Sequence, residues 1–113
     1  MTVKQVKVTE VGPRDGFQSE KTVLKTEDKV DIINHLIEAG FKRIEVSSFV
    51  SPKAIPQLAD AATILDNVKR NFNTTLAALV PNAKGALRAV DAKLDEIVVF
   101  LSASESHNKK NVN

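Results

Sequence analysis

At 113 residues the chain is one domain at most, and its 42% apolar content is enough for a core. The net charge of +2 is spread over interspersed basic and acidic residues, which argues against a nucleic-acid surface. No cysteine is present, so disulfides and thiolate ligands are excluded, and no apolar run is long enough to span a membrane.

The opening residues carry no secretion signal, so the expected compartment is the cytoplasm. Asn73-Thr74-Thr75 has the form of a glycosylation acceptor and is read as chance in that setting. With five Phe and no Trp or Tyr, the core must come from Val, Ile, Leu and Ala.

In chain order, Val6, Val8 and Val11 mark a first strand, closed by Gly12-Pro13. A polar loop runs from Arg14 to about Lys25. Thr26 is a plausible N-cap, with Glu27 and Asp28 where carboxylates suit the helix dipole. Val30, Ile33, Leu36 and Ile37 then recur at helical spacing, and Gly40 suits a left-handed stop. A second strand covers residues 43–47, followed by a loop through Pro52. Pro56 suits the start of a second helix, with Leu58, Ala61, Ala62, Leu65 and Val68 as its buried stripe. Residues 74–80 form a third strand, stopped by Pro81. Asn82 can cap a third helix carrying Ala86, Leu87 and Val90. Residues 96–101 form a fourth strand, and residues 102–113 a polar tail.

The order is β-α-β-α-β-α-β, with parallel strands and right-handed crossovers. The strands are near-continuous apolar runs, as when both faces are covered. An open doubly wound sheet and part of a (β/α)8 barrel both fit this α/β pattern. The polar residues tip the balance toward the barrel. Arg14 and Asp15 follow the first strand, Glu45 and Ser48 end the second, Asn82 follows the third, and Ser102, Ser104 and Glu105 follow the fourth. Barrel sites are built on that shared C-terminal face, whereas an open sheet concentrates its chemistry at one switch point. A full barrel takes about 250 residues, so the expectation is a single partial domain, residues 1–113, forming the N-terminal half of a TIM barrel.

Arg14 beside Asp15 reads in two ways. It can be a loop ion pair, or it can be a guanidinium that steadies a developing enolate next to a carboxylate that offers one oxygen to Mg²⁺ or Mn²⁺. Glu45 lies between Ile44 and Val46 and points the opposite way from both. If it points inward it needs a cation, and Arg14 is the obvious one; Lys42 or Arg43 is the alternative. His35 reads as a helix-surface or packing residue. His107 sits among Asn108, Lys109 and Lys110 in what looks like a solvated loop. Lys21, Lys109 and Lys110 could meet phosphates, although surface solubility is the commoner reason for such lysines. Neither nucleotide-binding glycine fingerprint is present.

The segments EVGPRDGFQSEK, IEVSSFVSPKAIPQLADA, LVPNAKG and SASESHNKKNVN resemble the 3-hydroxy-3-methylglutaryl-CoA lyase family, in order and over nearly the whole chain. These are TIM-barrel metallolyases that share an Asp-Arg-Glu set. The resemblance implies cleavage of an acyl-CoA to acetoacetate and acetyl-CoA, a step of leucine catabolism and ketone-body formation, with a divalent cation as cofactor. It implies Asp15 as a metal ligand, Arg14 as the stabiliser of the enolate oxygen, and Glu45 as the carboxylate holding Arg14. Gln18 and Ser48 would lie near the substrate, with Lys21, Asn82 and Glu105 as weaker candidates. No nucleic-acid or membrane partner is implied, and a homo-oligomer is compatible. A Claisen-type condensing synthase or lyase of the same superfamily is the second enzyme reading; those synthases share the Arg-Asp-Gly-x-Gln core but not the other segments. The family's His-x-His pair, ligating Asn and glycine-flanked Cys are not found before Asn113, so the expectation is the N-terminal part of a longer enzyme, inactive alone. A non-catalytic α/β binding module is the reading from another class.

Overall fold

The computed structural model describes residue 2 and residues 4–111. Three parallel strands, β1 (Arg43–Ser48), β2 (Thr75–Leu79) and β3 (Glu96–Val98), lie in the order β1-β2-β3. The helices are α1 (Phe17–Ser19), α2 (Thr26–Glu38), α3 (Ala61–Asn67), α4 (Ala83–Asp91) and α5 (Glu105–Asn111). A π-helical turn, Gly12–Gly16, precedes α1, and a 3₁₀ turn, Pro56–Leu58, precedes α3.

The first expected strand is reduced to one parallel bridge, Glu10 to Ile44. Glu10 N–H donates to the Arg43 carbonyl at 3.0 Å, and Glu45 N–H donates to the Glu10 carbonyl at 2.9 Å. Upstream of that bridge Val6 and Val8 are 72% and 66% exposed, so burial gives these residues no reason to stay paired. The fourth expected strand is also shorter than its apolar run. Val80 N–H donates to the Val98 carbonyl at 3.0 Å, and the next residue, Pro81, has no N–H to continue the ladder.

The apolar side chains of α2, Val30, Ile33 and Ile37, pack with Ile44 and Val46 of β1, Leu76 and Ala78 of β2, and Ile64 and Leu65 of α3. Gly40 takes φ +94° directly after α2, as its position at the helix end requires. Lys25, not Thr26, occupies the N-cap position of α2. The Thr26 hydroxyl instead donates to Asp60 Oδ2 at 2.7 Å. The helix expected from Pro56 is split at Asp60, whose backbone (φ −101°, ψ 22°) is not helical. Asp60 also receives Lys29 Nζ at 2.9 Å, and Nζ donates to the Gln57 carbonyl at 2.6 Å. Lys29 is therefore buried in the structure yet fully paired. Ala62 is exposed, and Ile64 takes its place in the stripe.

Asn82 caps α4 by accepting Gly85 N–H at 2.8 Å. The face of α4 that packs inward carries Gly85 and Ala89, while Leu87 and Val90 are exposed. Gly85 is required by proximity: a Cβ there would lie 2.7 Å from the Phe49 carbonyl oxygen. Helix propensity alone favours alanine at such a site by about 1 kcal/mol. Overpacking against backbone costs about 1–3 kcal/mol and opposes that gain. Gly85→Ala is therefore expected to destabilise by up to about 2 kcal/mol in urea unfolding; stabilisation would show that α4 moves freely away from Phe49.

The tail expected to be an irregular loop contains α5. Ser104 Oγ accepts His107 N–H at 3.3 Å, and Glu105 pairs with Lys109 at 3.3 Å one turn later. A serine just before the helix whose hydroxyl accepts the N–H three residues on is an N-cap arrangement. Residues 112 and 113, the end of that tail, lie outside the described residues, as do residues 1 and 3 of the opening stretch.

Candidate functional site

The turn Gly12–Gly16 is what aims Arg14. Asp15 N–H returns to the Val11 carbonyl at 2.8 Å, and Phe17 N–H reaches the Gly12 carbonyl, so the chain coils as soon as it leaves the Glu10 bridge. Such π turns are frequent at functional sites. Pro13 is buried beneath the turn, and Gly12 N–H is held by Glu10 Oε1 at 2.8 Å.

Arg14 Nε donates to Glu45 Oε1 at 2.9 Å, and Arg14 Nη1 donates to Asp15 Oδ1 at 3.2 Å. The Glu45 side chain is only 10% exposed and Asp15 is 64% exposed, so the two carboxylates differ in role. Glu45 is an inner brace. Asp15 is open to further ligands. Arg43, the competing partner for Glu45, is occupied by Glu96 and the Thr9 hydroxyl. Arg14 also lines the adjoining cleft, and among the described residues its Nη2 makes no hydrogen bond.

That cleft, about 370 Å³, is lined by Arg14, Gln18, Ser48, Val50, Ile55, Leu79 and Phe100. Ser48 reaches it because β1 is irregular. Glu45 pairs with Ala77, but Ser47 pairs with Ala78 and Ser48 with Leu79, so Val46 is the extra residue of a bulge. Strict alternation would put Glu45 with Ser47 and turn Ser48 toward the helices. The bulge instead sets Glu45 and Ser48 opposite Ala77 and Leu79, on one face. Re-aiming a side chain beside a site is a recurrent use of bulges. The Ser48 hydroxyl is buried and has no hydrogen-bond partner among the described residues, a state that a bound polar group would relieve. The Ser47 hydroxyl is likewise buried and unpartnered.

Two features outside the expected set hold this region. Arg88 of α4 stacks 5.5 Å above the Phe49 ring and donates to the Val50 carbonyl at 3.3 Å, fixing the loop after β1. The Lys29–Asp60 pair anchors the 3₁₀ turn that follows that loop. Neither had a sequence signal, since Arg88 and Lys29 lie on helices where a charged residue is ordinarily solvent-exposed. The weaker candidates lie elsewhere. Lys21 is exposed and does not line the cleft. Asn82 is committed to its cap, and Glu105 to Lys109 on the surface. His35 is exposed on α2, and His107 lies on α5.

Among the described residues no three His, Cys, Asp or Glu side chains gather as a metal site. Asp15 is a single hard-oxygen donor, and one carboxylate does not make a site for Mg²⁺ or Mn²⁺. The expected consequence is that millimolar Mg²⁺ or Mn²⁺ stabilises this chain by less than about 0.4 kcal/mol, the value reached when the cation equals its Kd. A gain of several kcal/mol in thermal unfolding would reveal a complete ligand set.

A parallel α/β sheet, with an arginine braced by a strand carboxylate at the C-terminal ends of the strands, has the layout of part of a barrel-type site. The HMGL-like family model matches residues 5–113, and the chain belongs to that family. A hydroxymethylglutaryl-CoA lyase of Bacillus subtilis is 48% identical over 110 residues, covering 97% of this chain and 37% of the relative. A mitochondrial lyase of the same name from Macaca fascicularis is 49% identical, covering 97% of this chain and 34% of the relative. The structure of an HMG-CoA lyase from Acinetobacter baumannii, in complex with coenzyme A and 3-methylmalate, superposes with a TM-score of 0.93 at 47% identity, over 99% of this chain and 37% of that one. The chain thus spans just over a third of the length of these relatives.

Proposed function

We propose that this chain supplies the Arg14-centred part of a hydroxymethylglutaryl-CoA lyase site. The observation that carries the reading is the Arg14–Glu45 brace beside a cleft lined by Arg14 and by Ser48, whose hydroxyl is unpartnered among the described residues. The names of the relatives and the coenzyme A bound in one of them support the substrate class.

In this reading the carbinol proton of 3-hydroxy-3-methylglutaryl-CoA is removed. The bond from the carbinol carbon to the carbon next to the thioester breaks, and its electron pair passes into a thioester enolate. Acetoacetate departs, and the enolate takes a proton to become acetyl-CoA. Arg14 holds its charge against the enolate oxygen, where negative charge grows during the reaction. Glu45 keeps the guanidinium plane fixed, so little reorganisation is needed at that moment. Ser48 hydrogen-bonds a substrate oxygen, and the Gln18 amide meets the substrate at the cleft mouth. Asp15 is the residue of this chain suited to share a divalent cation, and among the described residues no further donors complete a site around it.

The test is a hybrid enzyme in which residues 5–113 replace the matching segment of the Bacillus subtilis relative. Acetoacetate release from 3-hydroxy-3-methylglutaryl-CoA is the expected result. A folded hybrid that releases none, or that only condenses acetyl-CoA with a 2-oxo acid, would overturn the lyase reading.

A further inference from the structure

Gln18 sits on a turn that the core does not hold. Helix α1 has no buried residue, and residues 18–23 are all exposed. The bonds within the turn are local: Ser19 Oγ donates to the Asp15 carbonyl at 2.9 Å, and Glu20 N–H donates to the Phe17 carbonyl at 3.2 Å. Among the described residues one hydrogen bond ties α1 and its cap to a distant element. Gln57 Nε2 donates to the Glu20 carbonyl at 3.1 Å.

Gln57 is itself firmly set. Pro56 before it has a fixed φ, and Leu58 after it is buried. Its carbonyl accepts Lys29 Nζ at 2.6 Å, and that ammonium is held in turn by both oxygens of Asp60, at 2.9 and 3.1 Å. A connected set of bonds therefore runs from a buried charge in α2, through the 3₁₀ turn, to the end of α1. The two segments joined by Gln57 both reach the cleft. Gln18 comes from one, and Ile55, at the start of the 3₁₀ turn, comes from the other. Without the Gln57 bond, only bonds within its own neighbourhood would hold the turn that carries Gln18.

Building on the lyase reading, we infer that Gln57 is a positioning residue: its side-chain amide holds α1 at the cleft, so that Gln18 is in place for the acyl-CoA substrate. Lys29 and Asp60 keep Gln57 there. Gln18 meets the substrate at the cleft mouth, away from the breaking bond, so the role shows in KM rather than in kcat.

The test has two parts. In the 113-residue chain, Gln57→Glu keeps the shape of the side chain and removes its donor at neutral pH. The backbone order parameters of Gln18, Ser19 and Glu20 are expected to fall from about 0.85 to below about 0.6, with those of α2 unchanged. In the hybrid enzyme, Gln57→Glu and Gln57→Ala are each expected to raise KM about fivefold, the scale of one hydrogen bond, with kcat within about twofold. Gln18→Ala is expected to raise KM by a similar factor, and Gln18→Ala combined with Gln57→Ala by no more than the larger single effect. Unchanged order parameters overturn the tether. In an active hybrid, an unchanged KM, KM rises that multiply in the double variant, or a loss confined to kcat overturns the role of Gln57 and leaves the lyase reading standing. An unaltered hybrid that releases no acetoacetate overturns the lyase reading, and the role of Gln57 toward substrate with it.

Discussion

Asp60→Ala is expected to destabilise the fold by roughly 3–5 kcal/mol. Lys29 is 1% exposed, and its ammonium is held by both oxygens of Asp60 and by the Gln57 carbonyl. Removing the carboxylate leaves a buried charge with one carbonyl for company, and the Thr26 hydroxyl loses its acceptor as well. The loss is large for a domain whose total stability lies near 5–15 kcal/mol. Urea unfolding of the variant measures it directly. Replacing the pair together, Lys29→Met with Asp60→Leu, should recover part of the loss, because it removes the buried charge, although the Thr26 hydroxyl and the Gln57 carbonyl still lose their partners. A single-variant cost under about 1 kcal/mol would mean that water reaches Lys29.

Arg14→Lys, made in the hybrid enzyme, is expected to lower kcat by about 10²–10³ with little change in KM, the scale of losing one oriented oxyanion donor. Lysine keeps the charge. It cannot donate at once to Glu45, to Asp15 and into the cleft, as the planar fork of Arg14 is placed to do. A rise in KM at constant kcat would instead assign Arg14 to ground-state binding.

The parallel order of the strands and the helix over α2 were legible because they rest on local signals: apolar runs, the glycine after α2, and Pro81. The Arg14–Glu45 contact was legible too, since a charged residue inside an apolar strand must find a partner. Other features depend on what happens between distant segments. The first strand reads as a strand from Val6 to Val11, yet a strand exists only where a neighbour pairs with it, and one bridge is all that forms. Leu87 and Val90 look like core in the sequence; the close approach of Gly85 to Phe49 selects a different face of α4. Period-two alternation puts Ser48 on the helix side, and only the bulge at Val46 brings it to the cleft. Lys29 gives no local sign of burial, because it stands beside Glu27 and Asp28 in the charged first turn of α2, where a solvent-exposed lysine is the ordinary case.

In the proposed site Glu45 acts by holding Arg14 at the cleft. A double-mutant cycle on kcat in the hybrid enzyme tests it most directly, using Arg14→Lys, Glu45→Gln and the pair. The account predicts strong coupling: once Arg14 is gone, Glu45→Gln should cost little more, because its only task has been removed. Additive losses, with each substitution lowering kcat by the same factor whether or not the other is present, would contradict it and give Glu45 a role of its own.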